Sequence, residues 1–190
     1  DDLKPGDYFY RTEDDEWAVS DGGLRKIYAD GTTGWESDKK PDDSKGTCIG
    51  IVLKAGRDTK GDWVDNGTYT LKGSTTSMSE VHGYVLALHD ANGGNDCQWG
   101  SRGIEVGCDR NQTTGFNGYS NTQTIVAKAQ DGNLQDAFPA AYYATTGYDE
   151  QYSAPDNTSG WFLPSGGQCQ YWFNNRVVLL RSIQNAGGDG

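Results

Sequence analysis

Two histidines, His82 and His89, and four cysteines, Cys48, Cys97, Cys108 and Cys169, are the side chains of this 190-residue chain best suited to nucleophilic, acid–base or metal chemistry. A hydrolase needs a nucleophile within reach of a base, and a third group to orient that base. The two histidines flank one apolar run, Gly83-Tyr84-Val85-Leu86-Ala87-Leu88, and stand seven residues apart. An odd spacing in a strand sends side chains to opposite faces, so the pair is not expected to act together. Ser165 lies in Pro164-Ser165-Gly166 rather than in a Gly-x-Ser-x-Gly elbow. It reads better as a helix cap. No catalytic residue is expected. No Cys-x-x-Cys occurs, and with two histidines a closed zinc site is not expected either.

Oxygen ligands are more plentiful. Asp58 and Asp62 in one polar loop, and Asp90 and Asp96 in another, are candidate Ca²⁺ ligands. Neither loop has EF-hand spacing, and solvated turns explain both equally well. No other cofactor is expected. Aromatic rings in Gly/Asn/Asp-rich segments offer a second kind of site, in which a ring stacks on the apolar face of a sugar. Trp63, Trp99, Tyr119 and Tyr148 are the candidates, with Tyr69, Phe116 and Tyr152 in similar settings.

The cysteines permit two disulfides in three connectivities. Cys97 and Cys108 are the best local pair. Gly100, Gly103 and Gly107 between them let the chain fold back, to the ~4.4–6.8 Å between Cα atoms that a bridge requires. Free thiols are the alternative for Cys48 and Cys169. A crosslink would fit an oxidising compartment and hence export.

The net charge of −11 excludes partners that need clustered cations. Arg25-Lys26 and Lys39-Lys40 are the only adjacent basic pairs, and Asp38, Asp42 and Asp43 surround the second. Nucleic acid and anionic membrane are therefore not expected partners. No run of 18 apolar residues exists, so no membrane-inserting helix is expected. The chain opens Asp1-Asp2-Leu3, as a mature or trimmed chain does. Its 27 glycines and abundant Tyr and Trp point to a loop-rich fold built on large rings.

The elements that must position these groups are short. Residues 7–10 and 16–19 read as strands within an acidic N-terminal part, 1–45. Residues 48–53 read as a buried strand and 83–89 as the next strong strand. Helical patterns come later, near 121–130, 139–146, 165–172 and 175–186, with Asn121, Pro139, Ser165 and Asn175 as starts. Strands first and helices later give an α+β class, with an antiparallel sheet, a few short helices and long loops. The whole chain, 1–190, is expected to be one domain with its main core in 46–190.

Three stretches in order carry a family resemblance: Cys48-Ile49-Gly50-Ile51-Val52-Leu53; Gly83 to Ala91 with Gln98-Trp99-Gly100; and Ser159-Gly160-Trp161-Phe162-Leu163-Pro164-Ser165-Gly166-Gly167-Gln168 with the following helix. Together they resemble the C-type-lectin-like domain of bacterial surface adhesins and fimbrillin-associated proteins, whose fold is shared with formylglycine-generating enzymes. Read on its own, Trp161-Phe162-Leu163-Pro164-Ser165 is a strand-to-helix corner. Trp161 and Leu163 are its buried anchors, Pro164 stops the strand and Ser165 caps the helix. The resemblance implies an exported module facing the cell surface or periplasm, lipid-anchored through a segment outside this chain. It would contact a surface glycan, a protein ligand or fimbrial subunits without catalysis. A polysaccharide-binding module of a glycan-uptake system and a divergent enzyme of the formylglycine-generating lineage are the alternatives. Such domains continue past the last helix into further strands, so the resemblance implies a core lacking its closing strands at Gly187-Gly188-Asp189-Gly190. The Ca²⁺-dependent sugar motifs of the fold are absent: Ala154 precedes Pro155-Asp156, where Glu or Gln is required.

Overall fold

A computed structural model describes residues 3–26, 33–35, 39–56, 69–108, 115–129 and 133–189. The strands are β1 (Tyr8–Arg11), β2 (Trp17–Ser20), β3 (Leu24–Lys26), β4 (Thr33–Trp35), β5 (Thr47–Ala55) and β6 (Gly83–Ala87). Four of them form one antiparallel sheet in the order β2-β1-β5-β6, and β3 pairs with β4 separately. The helices are α1 (Gly118–Lys128), α2 (Leu134–Ala137), α3 (Pro139–Ala144), α4 (Thr146–Asp149) and α5 (Gly166–Asn185). The mixed class, the antiparallel sheet and the strands β5 and β6 are as the sequence predicts, with β6 at the sheet's edge and β1 and β5 at its centre.

β5 reads as an unbroken apolar run because both of its faces are covered. Register places Tyr8, Ile51 and Leu86 side by side on one face. Leu179 and Ile183 of α5 join that face in the main core, with Tyr10, Tyr84, Phe116 and Tyr119. Burying two such aliphatic side chains stabilises the fold by about 3–6 kcal/mol. Ser182, also buried, donates its hydroxyl to the Gly6 carbonyl at 2.7 Å, so the one polar side chain on this stripe is satisfied. The opposite face carries Phe9, Val19, Val52 and Val85, again by register. Part of segment 154–161 crosses beside it: Asn157 Oδ1 accepts from the Trp17 amide at 3.0 Å, and the Asp156 amide donates to the Asp15 carbonyl at 2.9 Å.

The helices depart from their predicted bounds in three places. The patterns at 165–172 and 175–186 are one continuous helix, because Asn175 does not cap; its side-chain amide donates back to the Tyr171 carbonyl at 2.7 Å. The helix expected from Asn121 starts earlier, after Asn117, since Thr122 is fully buried and returns its hydroxyl to the Gly118 carbonyl at 2.7 Å. The pattern at 139–146 breaks at Thr145, whose φ of −120° and ψ of −97° are not helical, and resumes as α4 with Gly147 inside it.

Candidate ligand-binding cleft

The corner at 161–168 is where local sequence chemistry fixes the site. Ser165 caps α5 through a complete capping box. Its hydroxyl accepts from the Gln168 amide at 3.2 Å, and Gln168 Oε1 accepts from the Ser165 amide at 2.8 Å. The same hydroxyl donates to the Gly115 carbonyl at 2.6 Å, which ties the start of α5 to the start of α1. Thr122 adds a second tie, accepting from the Leu163 amide at 3.1 Å. Gly118 sits in this junction, and a Cβ there would lie 2.8 Å from both the Leu163 carbonyl oxygen and the Ser165 nitrogen. Two helix starts therefore meet through backbone, with no room for a side chain. Residues 161–163 form no strand. Trp161 and Leu163 are half-buried rather than buried, because this segment borders a cleft instead of running through the core.

That cleft, of about 690 Å³, follows β6. Every residue from Val81 to Ala91 lines it. The strand itself, Gly83–Ala87, spans about 13 Å at ~3.3 Å per residue, and the chain bends at Leu88 and His89 beyond it. Of the four tryptophans whose side chains are described, Trp17, Trp161 and Trp172 line it as well. At one end His82 leans on Trp17, with ring centroids 5.4 Å apart, and Trp17 stacks on Phe9. At the other end His89 stacks on Tyr152 at 4.6 Å, and Tyr148 meets Trp161 edge-on at 5.2 Å. The Trp161 indole donates to the Tyr152 carbonyl at 2.7 Å, and the Tyr148 oxygen accepts from the His89 amide at 3.2 Å. Burial pushes the Tyr148 hydroxyl up to about 12, so it stays protonated at neutral pH.

The tail after α5 completes this end. The Asp189 amide donates to the Leu88 carbonyl at 2.9 Å, and Asp189 Oδ2 accepts from the Asp90 amide at 3.1 Å and lies 3.2 Å from His89 Nδ1. The Asp90 amide and then the His89 ring hold the Asp189 carboxyl below its ordinary range. Gly188 permits the approach, since a Cβ there would stand 2.5 Å from the Leu88 oxygen. The wall beyond Tyr148 is braced by Lys72, whose ammonium reaches Asp149 Oδ2 at 2.9 Å, the Ser153 hydroxyl at 2.7 Å and the Ala154 carbonyl at 2.8 Å.

Of the expected aromatic platforms among the described residues, Tyr148 and Tyr69 line the cleft. Tyr119 is a core residue at 3 % exposure; it stacks on Tyr69 at 4.8 Å, and its hydroxyl is held by Thr70. Trp99 is half exposed but lies against Phe138, apart from the cleft lining. Trp63, Asp58 and Asp62 lie outside the described residues. Trp17 and Trp172 were missed, although Trp17 falls in a segment that reads as a strand, and the even spacing of Trp17 and Val19 puts them on one face. Asp90 and Asp96 do not gather ligands: among the described residues no three His, Cys, Asp or Glu side chains come together. The turn between them closes on itself, with the Asn92 and Asn95 side-chain amides donating to each other's carbonyls at 3.1 and 2.8 Å.

The expected Cys97–Cys108 bridge is not formed. All four cysteines are free. The Cys108 thiol is turned toward the Asn121 carbonyl at 3.7 Å and packs beside Ile125 and Phe138, while Cys97 stays exposed. Burial raises the thiols of Cys48, to about 11, and of Cys108 and Cys169, which leaves none of these three primed as a nucleophile. No described helix is long and apolar enough to cross a membrane. No family model, curated protein or solved structure matches the chain.

Proposed function

We propose that this chain is a noncatalytic, C-type-lectin-like module of an exported surface protein, and that it binds its ligand in the cleft along β6. The observation that carries the reading is the concentration of three of the four described tryptophan side chains on one mostly apolar cleft of ligand size, beside the Trp161–Ser165 corner. The histidines favour binding over catalysis: His82 and His89 sit at opposite ends of the strand, and each ring is engaged by an aromatic neighbour. A surface glycan or a protein ligand such as a fimbrial subunit is the occupant this reading favours. Screening the intact chain against a glycan array and purified surface proteins, alongside Trp161→Ala, tests it. Binding that Trp161→Ala weakens at least about tenfold supports the cleft. Binding that ignores both Trp161→Ala and Trp17→Ala puts the ligand elsewhere, and turnover of any bound glycan would overturn the noncatalytic reading.

A further inference from the structure

The cleft's charge is as informative as its shape. Its walls are apolar along most of β6, from Val81 through Val85 and Ala87 to Leu88. Among the described residues that line it, the only fully charged side chains are two carboxylates, Asp90 and Asp189, and no lysine or arginine is present. The two sit together at one end, joined by the bond from the Asp90 amide to Asp189 Oδ2. The Asp189 side chain is about half exposed, so the negative pair marks the cleft's mouth rather than its floor. Beside it stand the rings of His89, Tyr148 and Trp161. Aromatic faces attract cations, and carboxylates at the same mouth reinforce that attraction. A ligand carrying a carboxylate, sulfate or phosphate would meet two like charges there, with no lysine or arginine in the lining and the His89 ring already turned to Asp189 Oδ2.

We infer that the cleft takes an elongated ligand with an apolar body and a cationic, ammonium-type end group, the body lying along β6 and the cation at Asp90 and Asp189. This rests on the cleft being the ligand site but adds the class of ligand. It disfavours anionic glycans and fatty acids as occupants.

The test uses the intact chain and three probes with the same eight-carbon tail, each below its micelle concentration: octyltrimethylammonium, octanoate and octyl glucoside. Binding is read by tryptophan fluorescence and calorimetry at low salt. Octyltrimethylammonium is expected to bind at least about tenfold more tightly than octanoate. Tetramethylammonium, which lacks the tail, should bind far more weakly than the tailed cation. The preference should collapse in Asp90→Asn/Asp189→Asn and shrink at high salt on the unaltered protein. It should survive Asp42→Asn/Asp43→Asn, which removes the same two negative charges away from the cleft. Equal or tighter binding of octanoate overturns the inference, as does a preference that survives the Asp90/Asp189 double variant. Equal binding of all three tailed probes, sensitive to Trp161→Ala, would sink the charge assignment while leaving the cleft as a binding site. No binding of any probe, together with ligand binding insensitive to Trp161→Ala and Trp17→Ala, would sink both.

Discussion

The corner at 161–168 and the stretch at 97–108 look alike as sequence. Each holds a tryptophan, a serine and at least two glycines. As structure they are opposites. The corner is tied into the start of α1 by Ser165, Gln168 and Thr122, all buried and all hydrogen-bonded. The 97–108 stretch keeps Trp99 half exposed and Ile104 41 % exposed. Its backbone is tied to the α2–α3 junction at Gln98 and Ser101. The difference lies in buried polar side chains rather than in glycine or aromatic content. A serine or threonine that satisfies backbone groups on two segments at once leaves little freedom to either. A glycine run without such partners constrains little.

The largest expected effect breaks the corner at its tightest point. Gly118→Ala must push its Cβ against the backbone of Leu163 and Ser165, neither of which can rotate away. Overpacking of this kind costs about 3 kcal/mol. Gly103→Ala in the other stretch meets no neighbouring atom but adopts a φ of 84°, a left-handed strain worth about 1 kcal/mol. Denaturant melts of the two variants check the ordering, and equal losses would mean that the two segments are equally constrained.

Next comes Ser165→Ala, which removes the cap of α5 and leaves the Gly115 carbonyl without its donor. The expected loss is about 2 kcal/mol. Gln168→Ala should lose less by itself. The double variant should lose clearly less than the sum, because one capping box cannot be broken twice. Strict additivity in that cycle would show that the two side chains act separately.

Trp161→Phe is a finer test. It keeps a ring against Tyr148 but deletes the indole donor to the Tyr152 carbonyl, at a cost of about 1 kcal/mol. Trp99→Phe deletes an indole with no partner among the described residues and should change stability by less than about 0.5 kcal/mol. If the Trp99 variant were the worse of the two, the contrast between the segments would be reversed.

These contrasts also mark what was legible in the sequence. The cap at Ser165 was, because Ser-x-x-Gln after a proline is a local pattern with a local mechanism. Strands β5 and β6 were legible because β5 is apolar on both faces and β6 is bounded by glycine and aspartate turns. The cleft was not. It depends on Trp17 and Trp161, which are 144 positions apart in sequence, coming to the same groove beside β6, and no periodicity within either segment records that. The tail's return to Leu88 and Asp90 is equally silent, since Asp189 in a Gly-Gly-Asp-Gly end reads as solvated polar chain. Tyr119 was misjudged for the converse reason. Its polar neighbours Asn117, Ser120 and Asn121 suggested surface, but Thr70 supplies the partner its hydroxyl needs to be buried.

The smallest expected effect concerns the cysteines of the looser segment. Cys97→Ser/Cys108→Ser removes no crosslink, so stability should fall by no more than about 1 kcal/mol, mostly from placing a hydroxyl where the Cys108 sulfur packs beside Ile125 and Phe138. A bridge closing a loop of this length would instead contribute roughly 2–4 kcal/mol, so a loss that large would show that the segment is stapled and that the contrast with the corner is one of chemistry rather than of hydrogen bonding. Thiol labelling sharpens the same point without mutation. At pH 8 a thiol must ionise before it reacts. Cys48 is held near 11 by burial in β5 and should label slowest, while exposed Cys97 should label first. Raising the pH towards 11 should speed Cys48 steeply for as long as the fold persists, since only the thiolate fraction is changing. A Cys97 that resists reagent until reductant is added would place the missing partner at its sulfur.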